Sequence, residues 1–360
     1  MIAVATGDVA RAKLLRERGA DTKARGRCGA PALFHAIRGH HAEMVRWLLA
    51  EGADVGEVDD FGGTALMEAV ENEDVACVDL LLGAGADVDA DSNGTALSRA
   101  ASREIVLRLL TAGANPAELT SEGQCAVLGL GEPVGDALSR VSVEDFQASY
   151  TRTFGKSNPE RMRVPFWEAM IRCGASAYQG SSHFGEVVRR PGVPVWSAQR
   201  FGQSLTLLPD GRAVQIGGEH EDYYDADFCI YNDVFVHEKG GSLAIYGYPE
   251  SVFPPTDFHT ATLIGEAIYV IGSAGYQGTR RFGETPVYRL DLKTFRMDRV
   301  ETSGEVPGWI LRHRAIAVGQ GEIRVWGGVI LSQGDGGESR EDNRASFVLD
   351  LRQRRWRREG

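Results

Sequence analysis

The chain has 360 residues, of which 43% are hydrophobic and 25% charged; this excludes a disordered or fibrous protein and leaves room for two or three domains, each with its own core. A formal net charge of −11 argues against a general nucleic-acid binder, which needs a basic face to displace counterions from phosphates. Among the 39 basic residues only five are Lys, a bias that fits a GC-rich bacterial genome.

The chain opens on a segment that reads as a helix, with no cationic leader ahead of a long apolar run, and no stretch of 18 apolar residues occurs anywhere. Neither an export signal nor a membrane span is expected. The five cysteines, Cys28, Cys77, Cys125, Cys173 and Cys229, lie far apart with no CxxC pair. A zinc ribbon and a disulfide framework are thereby excluded, and small buried fillers in a reducing cytoplasm are expected.

The first third is built on a repeat. Gly-Ala-Asp falls at Gly19, Gly52 and Gly85, two intervals of 33 residues, and Gly113-Ala114-Asn115 follows 28 residues later. An apolar helix end precedes each copy: Leu14-Leu15, Trp47-Leu48-Leu49, Leu80-Leu81-Leu82 and Leu109-Leu110. A helix ending in Leu-Leu needs a left-handed stop, which glycine supplies without a Cβ clash. The next helix opens at Ala30-Pro31-Ala32-Leu33, Thr64-Ala65-Leu66 or Thr95-Ala96-Leu97, the threonines serving as caps. This pattern resembles the ankyrin repeat over residues 1–117, with about four units. The first unit is expected to lack its leading helix and the fourth to be shortened; Cys125-Ala126-Val127 opens a worn capping unit.

The resemblance implies a concave binding surface with no chemistry of its own. The candidate contacts are the hairpin tips: Lys23, Arg25 and Arg27 on the first, Glu57, Asp60 and Phe61 on the second, Asp89 and Asp91 on the third. Between Arg46 and Arg99 there are 13 Asp or Glu and no Lys or Arg. That run is either a solvated acidic face or an electrostatic seat for a basic segment of a protein partner.

Residues 118–199 show no repeat. Helical spacing covers 143–154, with Phe146, Tyr150 and Phe154 on one side, and 164–176, with Phe166, Trp167, Met170 and Ile171. A helical adaptor is expected here.

From residue 200 the texture changes to strand and turn. Apolar runs end in Gly217-Gly218, Gly272-Ser273 and Gly327-Gly328, spaced by 55 and 55 residues. Gln203, His259 and His313 stand 13 or 14 residues before each first glycine. Residues 200–360 resemble kelch repeats, which implies β-propeller blades whose glycines sit where neighbours approach closely. The fold class is therefore α+β and multidomain: an ankyrin α-solenoid followed by an all-β, kelch-like partial propeller. Three visible blades cannot close a ring, and an open wedge would expose a large apolar face. Either Phe166, Trp167 and Met170 cap the β region within one chain, leaving a monomer, or two chains pair through their blade faces.

The blade loops give the second set of candidate contacts: Glu219, His220, Asp222, Tyr223 and Tyr224 after the first glycine step, Asp257 and His259 before the second blade, and Trp309, Arg312 and His313 before the third. His259 and His313 hold equivalent positions, which favours a structural role at the blade edge. No Gly-x-Ser-x-Gly, P-loop, His-Glu-x-x-His or dinucleotide fingerprint stands in a convincing setting. The expected function is a protein-interaction adaptor or scaffold without cofactor or metal. The alternative is an enzyme or metal-dependent binder using the His220 loop, where carboxylates and an imidazole stand close together.

Overall fold

Helices dominate the first third and strands the last, as the change in periodicity requires. The computed structural model describes residues 1–21, 24–92, 94–185, 193–221, 228–334 and 336–359. They form two compact units, Met1–Val127 and Leu128–Gly360.

In the first unit the helices run in pairs: Ile2–Ala5 with Val9–Glu17, Ala32–Arg38 with Ala42–Ala50, and Ala65–Glu71 with Val75–Gly83. A four-residue leading helix is thus present in the first repeat, where none was expected. In the fourth, the short 3₁₀ turn Leu97–Arg99 replaces the leading helix before Arg103–Thr111. Each helix packs on its partner and on its counterpart in the next repeat, so stability is shared between neighbours. Gly19, Gly52, Gly85 and Gly113 all have φ between 83° and 96°, and a Cβ there would meet nothing within 4 Å. Backbone angle, not space, selects glycine at this stop. The Thr64 hydroxyl accepts the Met67 N–H at 3.2 Å and that of Thr95 accepts the Ser98 N–H at 3.3 Å, while Pro31 offers no such cap.

Charged pairs join successive repeats along the surface. Arg38 grips the Glu68 carboxylate with two bonds of 2.8 and 2.9 Å. Arg99 reaches Glu71 at 2.6 Å and Arg108 reaches Asp79 at 2.7 Å; Arg16 pairs with Glu51. Glu51, Glu68, Glu71 and Asp79 of the acidic run are consumed by this ladder.

The second unit carries three main sheets in chain order. The first runs Glu160–Met162, Leu243–Gly247, Val234–His237, Ala213–Ile216, Ser204–Leu207 across its width. The second runs Met297–Arg299, Val287–Asp291, Ala267–Ile271, Thr260–Ile264, and the third Ser303–Gly304, Arg355–Glu359, Ser346–Asp350, Glu322–Trp326, Arg314–Val318. Strand Thr260–Ile264 lies beside Ser204–Leu207 of the first sheet and Arg314–Val318 of the third. A three-stranded ribbon of Trp309–Leu311, Val329–Gly334 and Gly337–Asp342 is appended to the third sheet.

Period-two alternation sends successive side chains to opposite faces, and here it fills the spaces between sheets. Val214, Ile216 and Val236 of the first sheet meet Ile268, Val270 and Leu290 of the second. On the other face of the second sheet, Ile271 and Val287 meet Ile323, Val325, Phe347, Leu349 and Trp356. The outer face of the first sheet, with Phe235 and Ile245, is covered by the aromatic helices, whose Phe166, Trp167 and Met170 share its core. Each of these three is no more than 1% exposed, and Trp167 stacks on Trp196 with ring centroids 5.0 Å apart.

At the far end the expected apolar face is absent. The outward positions of the third sheet include Glu322, Arg324, Arg357 and Glu359, joined as Arg324–Glu359 at 2.9 Å and Arg357–Glu322 at 2.6 Å. Val348 lies between Arg324 and Arg357 in register and is 1% exposed; long charged side chains can cover apolar neighbours with their hydrocarbon stems. This sheet ends in a charged lattice because its alternate residues are charged.

The segment before the sheets also closes two of their edges. Glu160–Met162 pairs antiparallel with Leu243–Gly247. Two residues earlier, the Asn158 carboxamide accepts the Met297 N–H and donates to the Met297 carbonyl, both at 2.8 Å. A side chain there imitates the ladder of a fifth strand.

Candidate functional site

The hairpin tips of the first unit are held by their own carboxylates. Asp59 accepts the N–H groups of Phe61 and Gly63 at 3.0 and 2.9 Å, and Asp91 accepts that of Gly94 at 3.0 Å. Asp89 receives the Asn115 N–H at 2.9 Å. Arg25 donates to the Gly29 and Val58 carbonyls at 2.8 and 2.9 Å and pairs with Glu57 at 2.6 Å. Of the residues singled out on the sequence, Arg25, Glu57, Asp89 and Asp91 therefore spend polar atoms within the stack. Asp60 is exposed, with its carboxylate lying against Gly29 of the preceding hairpin, and Phe61 is 78% exposed. An aromatic ring so far out of its core is the most accessible large apolar group on these tips. Lys23 and the Arg27 side chain lie outside the described residues.

The sheet-entry residues sit inside, and the geometry repeats. His259 Nε2 meets the Ser204 hydroxyl at 2.8 Å, and His313 Nε2 meets that of Thr260 at 2.9 Å. Each histidine thus reaches the edge strand of the preceding sheet, Ser204–Leu207 or Thr260–Ile264. Gln203, at the equivalent position of the first sheet, bonds instead to Gln215 at 2.8 Å, which in turn contacts His237 at 2.7 Å. Burial drives both entry histidines down to about 3, so they are neutral joints.

The residues just before them share a left-handed backbone. Gly202, Phe258 and Arg312 have φ of 61°, 49° and 53°, and Phe258 N–H donates to the Gly202 carbonyl as Arg312 N–H does to that of Phe258, both at 2.8 Å. Left-handed angles in non-glycine residues persist only where surroundings enforce them; here the string of bonds from one entry to the next does so. The Arg312 guanidinium lies 4.3 Å from the Phe258 ring centroid. Trp309 is mostly buried and donates to the Ala274 carbonyl at 3.2 Å.

The glycine steps face the next entry. A Cβ on Gly217 would lie 2.3 Å from the Thr256 carbonyl oxygen, and one on Gly272 2.4 Å from that of Ile310. Gly327, at the equivalent place in the last sheet, would meet nothing within 4 Å.

One polar cluster brings predicted residues together. Glu219 hydrogen-bonds through its side chain to Asp257, whose Oδ1 accepts the Gly275 N–H at 2.6 Å and the Ser273 hydroxyl at 3.3 Å. Burial, then the Asp257 charge, raises Glu219 to about 7, with Arg312 opposing; burial also raises Asp257. Both carboxyls are raised, so the pair favours one proton held between them. His220 turns the other way, its Nδ1 meeting the Tyr231 hydroxyl at 2.7 Å. Asp222, Tyr223 and Tyr224 lie outside the described residues. Among the described residues no group of three or more His, Cys, Asp or Glu is placed to hold a metal ion, and no helix is long and apolar enough to cross a membrane.

Sequence reasoning missed a buried pair beneath this cluster. Arg200 and Asp233 join in a two-pronged bond, their side chains 0% and 8% exposed. The guanidinium lies 3.5 Å from the Tyr231 ring centroid and 4.8 and 4.7 Å from those of Trp196 and Phe235. Trp196 also donates to Asp233 at 3.3 Å. Charge–ring contacts of this kind have no fixed sequence spacing.

A family model described as ankyrin repeats (3 copies) matches residues 1–91 and 45–120. The first unit is an ankyrin-repeat region. Ankyrin repeats suggest a role in protein–protein interaction. No kelch-repeat family matches the strand-rich region that follows. A search of curated proteins found no match to this chain.

Proposed function

We propose that this protein is an adaptor that holds a second protein on the outward edge of its ankyrin hairpins. Phe61 is the apolar anchor, and Asp60 with the surrounding acidic tips receives a basic segment of the partner. The observation that carries this is the 78% exposure of Phe61 on a tip where Asp59 holds the turn and Glu57 is paired with Arg25. Exposed aromatic anchors on rigid supports dominate interface energetics, and an acidic rim speeds encounter with a basic chain.

The three main sheets are read as kelch-type blades. The 55-residue spacing, glycine steps at equivalent positions, and entry histidines that reach back one sheet support that reading. On it, the loops bearing Glu219 and Arg312 form a second recognition surface. The charged outer face at one end and the helix cover at the other favour a monomer, and free cysteines favour the cytoplasm.

The test is capture of the partner by the intact protein, followed by affinity measurements on the purified pair for wild type, Phe61→Ala and Asp60→Lys. Phe61→Ala is expected to weaken binding by roughly tenfold or more, and Asp60→Lys to slow association most strongly at low salt. Unchanged affinity and kinetics in both variants would remove the hairpin edge as the binding surface.

A further inference from the structure

The second sheet walls a cavity of about 430 Å³, a volume within the range of small-molecule sites. Pro254, Pro255 and the Trp309 ring supply apolar walls, and Tyr288 and Arg281 converge on the same space. The Tyr288 ring is locked by an edge-on contact with Phe253, centroids 5.1 Å apart. Its hydroxyl has no partner among the described residues, unlike that of Tyr248, which donates to the Phe295 carbonyl at 2.7 Å.

The charges at this cavity are unequal in what they have to spend. Arg299 is already paired with Glu284 at 2.9 Å and Glu301 at 3.0 Å. Arg281 forms no ion pair among the described residues. Burial raises the Tyr288 hydroxyl, and the Arg299 and Arg281 guanidiniums oppose that rise. Of the charged lining residues only Arg281 and Glu250 form no ion pair among the described residues. The one free cation, beside an oxygen donor and with proline and indole walls in the same lining, suits a single negative charge on a flat apolar body, and Glu250 weighs against a second. A dianion would meet Glu284 and Glu250 at the lining with only one free cation to offset it.

We infer that this cavity is a binding site for a small aromatic or cyclic monocarboxylate, the carboxylate held by Arg281 and the Tyr288 hydroxyl and the ring held between Trp309 and the prolines. This site is independent of the hairpin edge and of the blade reading.

The probe is 3-phenylpropionate, titrated into the full chain by calorimetry or ligand-observed NMR, beside its neutral amide and phenyl phosphate. Saturable binding of the acid is expected, with the amide and the phosphate at least about tenfold weaker, as loss of a charge-assisted bond implies. Arg281→Gln should lose a similar factor without lowering the melting temperature, because Arg281 supports no internal ion pair. Tyr288→Phe, which keeps the ring, should lose about threefold or more. The assignment is overturned if the acid shows no saturable binding, if amide or phosphate binds as well as the acid, or if Arg281→Gln binds like wild type.

Discussion

The ankyrin unit and the sheet unit face the same problem, fastening one repeat to the next, and solve it with opposite chemistry. Between ankyrin repeats the fasteners are wet: Arg38–Glu68, Arg99–Glu71 and Arg108–Asp79 lie at the surface, where ion pairs are weak and readily replaced by water. Between sheets they are dry: neutral histidines and a glycine backbone against a carbonyl, and on the covered face of the first sheet an arginine is sealed among aromatic rings. A buried polar group that loses its partner bears the full desolvation cost. The first unit should therefore tolerate surface change, and the second should not.

Acid should expose this difference most strongly. Burial lowers His259 and His313 to about 3, and His220 and His237 to about 4, from an ordinary 6.5. The unfolded chain then binds more protons than the folded one below pH 6.5, so this stability is complete above 6.5 and is lost as pH falls toward 3–4. Each tenfold difference in proton affinity between the folded and unfolded chain is worth about 1.4 kcal/mol. For four such groups the loss by pH 5 is on the order of several kcal/mol. Glu219 works in reverse: raised from 4.5 to about 7, its protonated form is favoured in the fold, and its contribution fades as pH rises through that interval. Urea unfolding between pH 7.5 and 5, followed in the near-ultraviolet, should show the steep acid branch. The double variant His259→Gln/His313→Gln, which copies Gln203, should flatten it; an unchanged slope would show that these histidines do not titrate between the states.

Next in size is Arg200→Met. Leaving Asp233 buried without its cation should cost about 3–5 kcal/mol, read by urea midpoint, and a loss under about 1 kcal/mol would mean that water reaches the pair. The glycine steps sharpen the comparison within the sheet unit itself. Gly272→Ala must push on the Ile310 carbonyl and is expected to cost about 1–3 kcal/mol for overpacking in addition to a left-handed backbone cost of roughly 1–2 kcal/mol. Gly327→Ala should show the backbone cost alone. Equal melting temperatures for the two variants would contradict the difference in surroundings. The smallest effects belong to the ankyrin unit: Thr64→Ala should cost about 1 kcal/mol as a lost helix cap, and Arg38→Ala less than that.

Local signals explain what was legible. Gly-Ala-Asp followed a helix end by necessity of backbone angle, so Gly19, Gly52, Gly85 and Gly113 could be read from spacing alone. The glycine steps were legible for the same reason, yet sequence treated Gly217, Gly272 and Gly327 alike; only the presence or absence of a following sheet separates them. The equivalence of His259 and His313 suggested a structural place, but Ser204 and Thr260 as their partners depend on which edge strands lie side by side. Glu57 looked like a surface charge because Arg25 stands 32 positions earlier. The cavity near Arg281 gathers segments from residues 250 to 309, and nothing local marks such convergence. The charged end of the third sheet was partly readable, since Arg355, Arg357 and Glu359 alternate with Trp356 and Arg358 in a single strand.

That charged end has a consequence for how such a chain can lengthen. The middle sheet is apolar on both faces, so a copy inserted beside it would find a matching surface on either side. A copy of the last sheet would instead bury Glu322, Arg324, Arg357 and Glu359 against new neighbours. The first sheet is equally unsuited, because its outer face is shaped to Phe166 and Trp167. Gene duplication could therefore extend this protein only from within, and an array grown that way would keep the same two ends whatever its length.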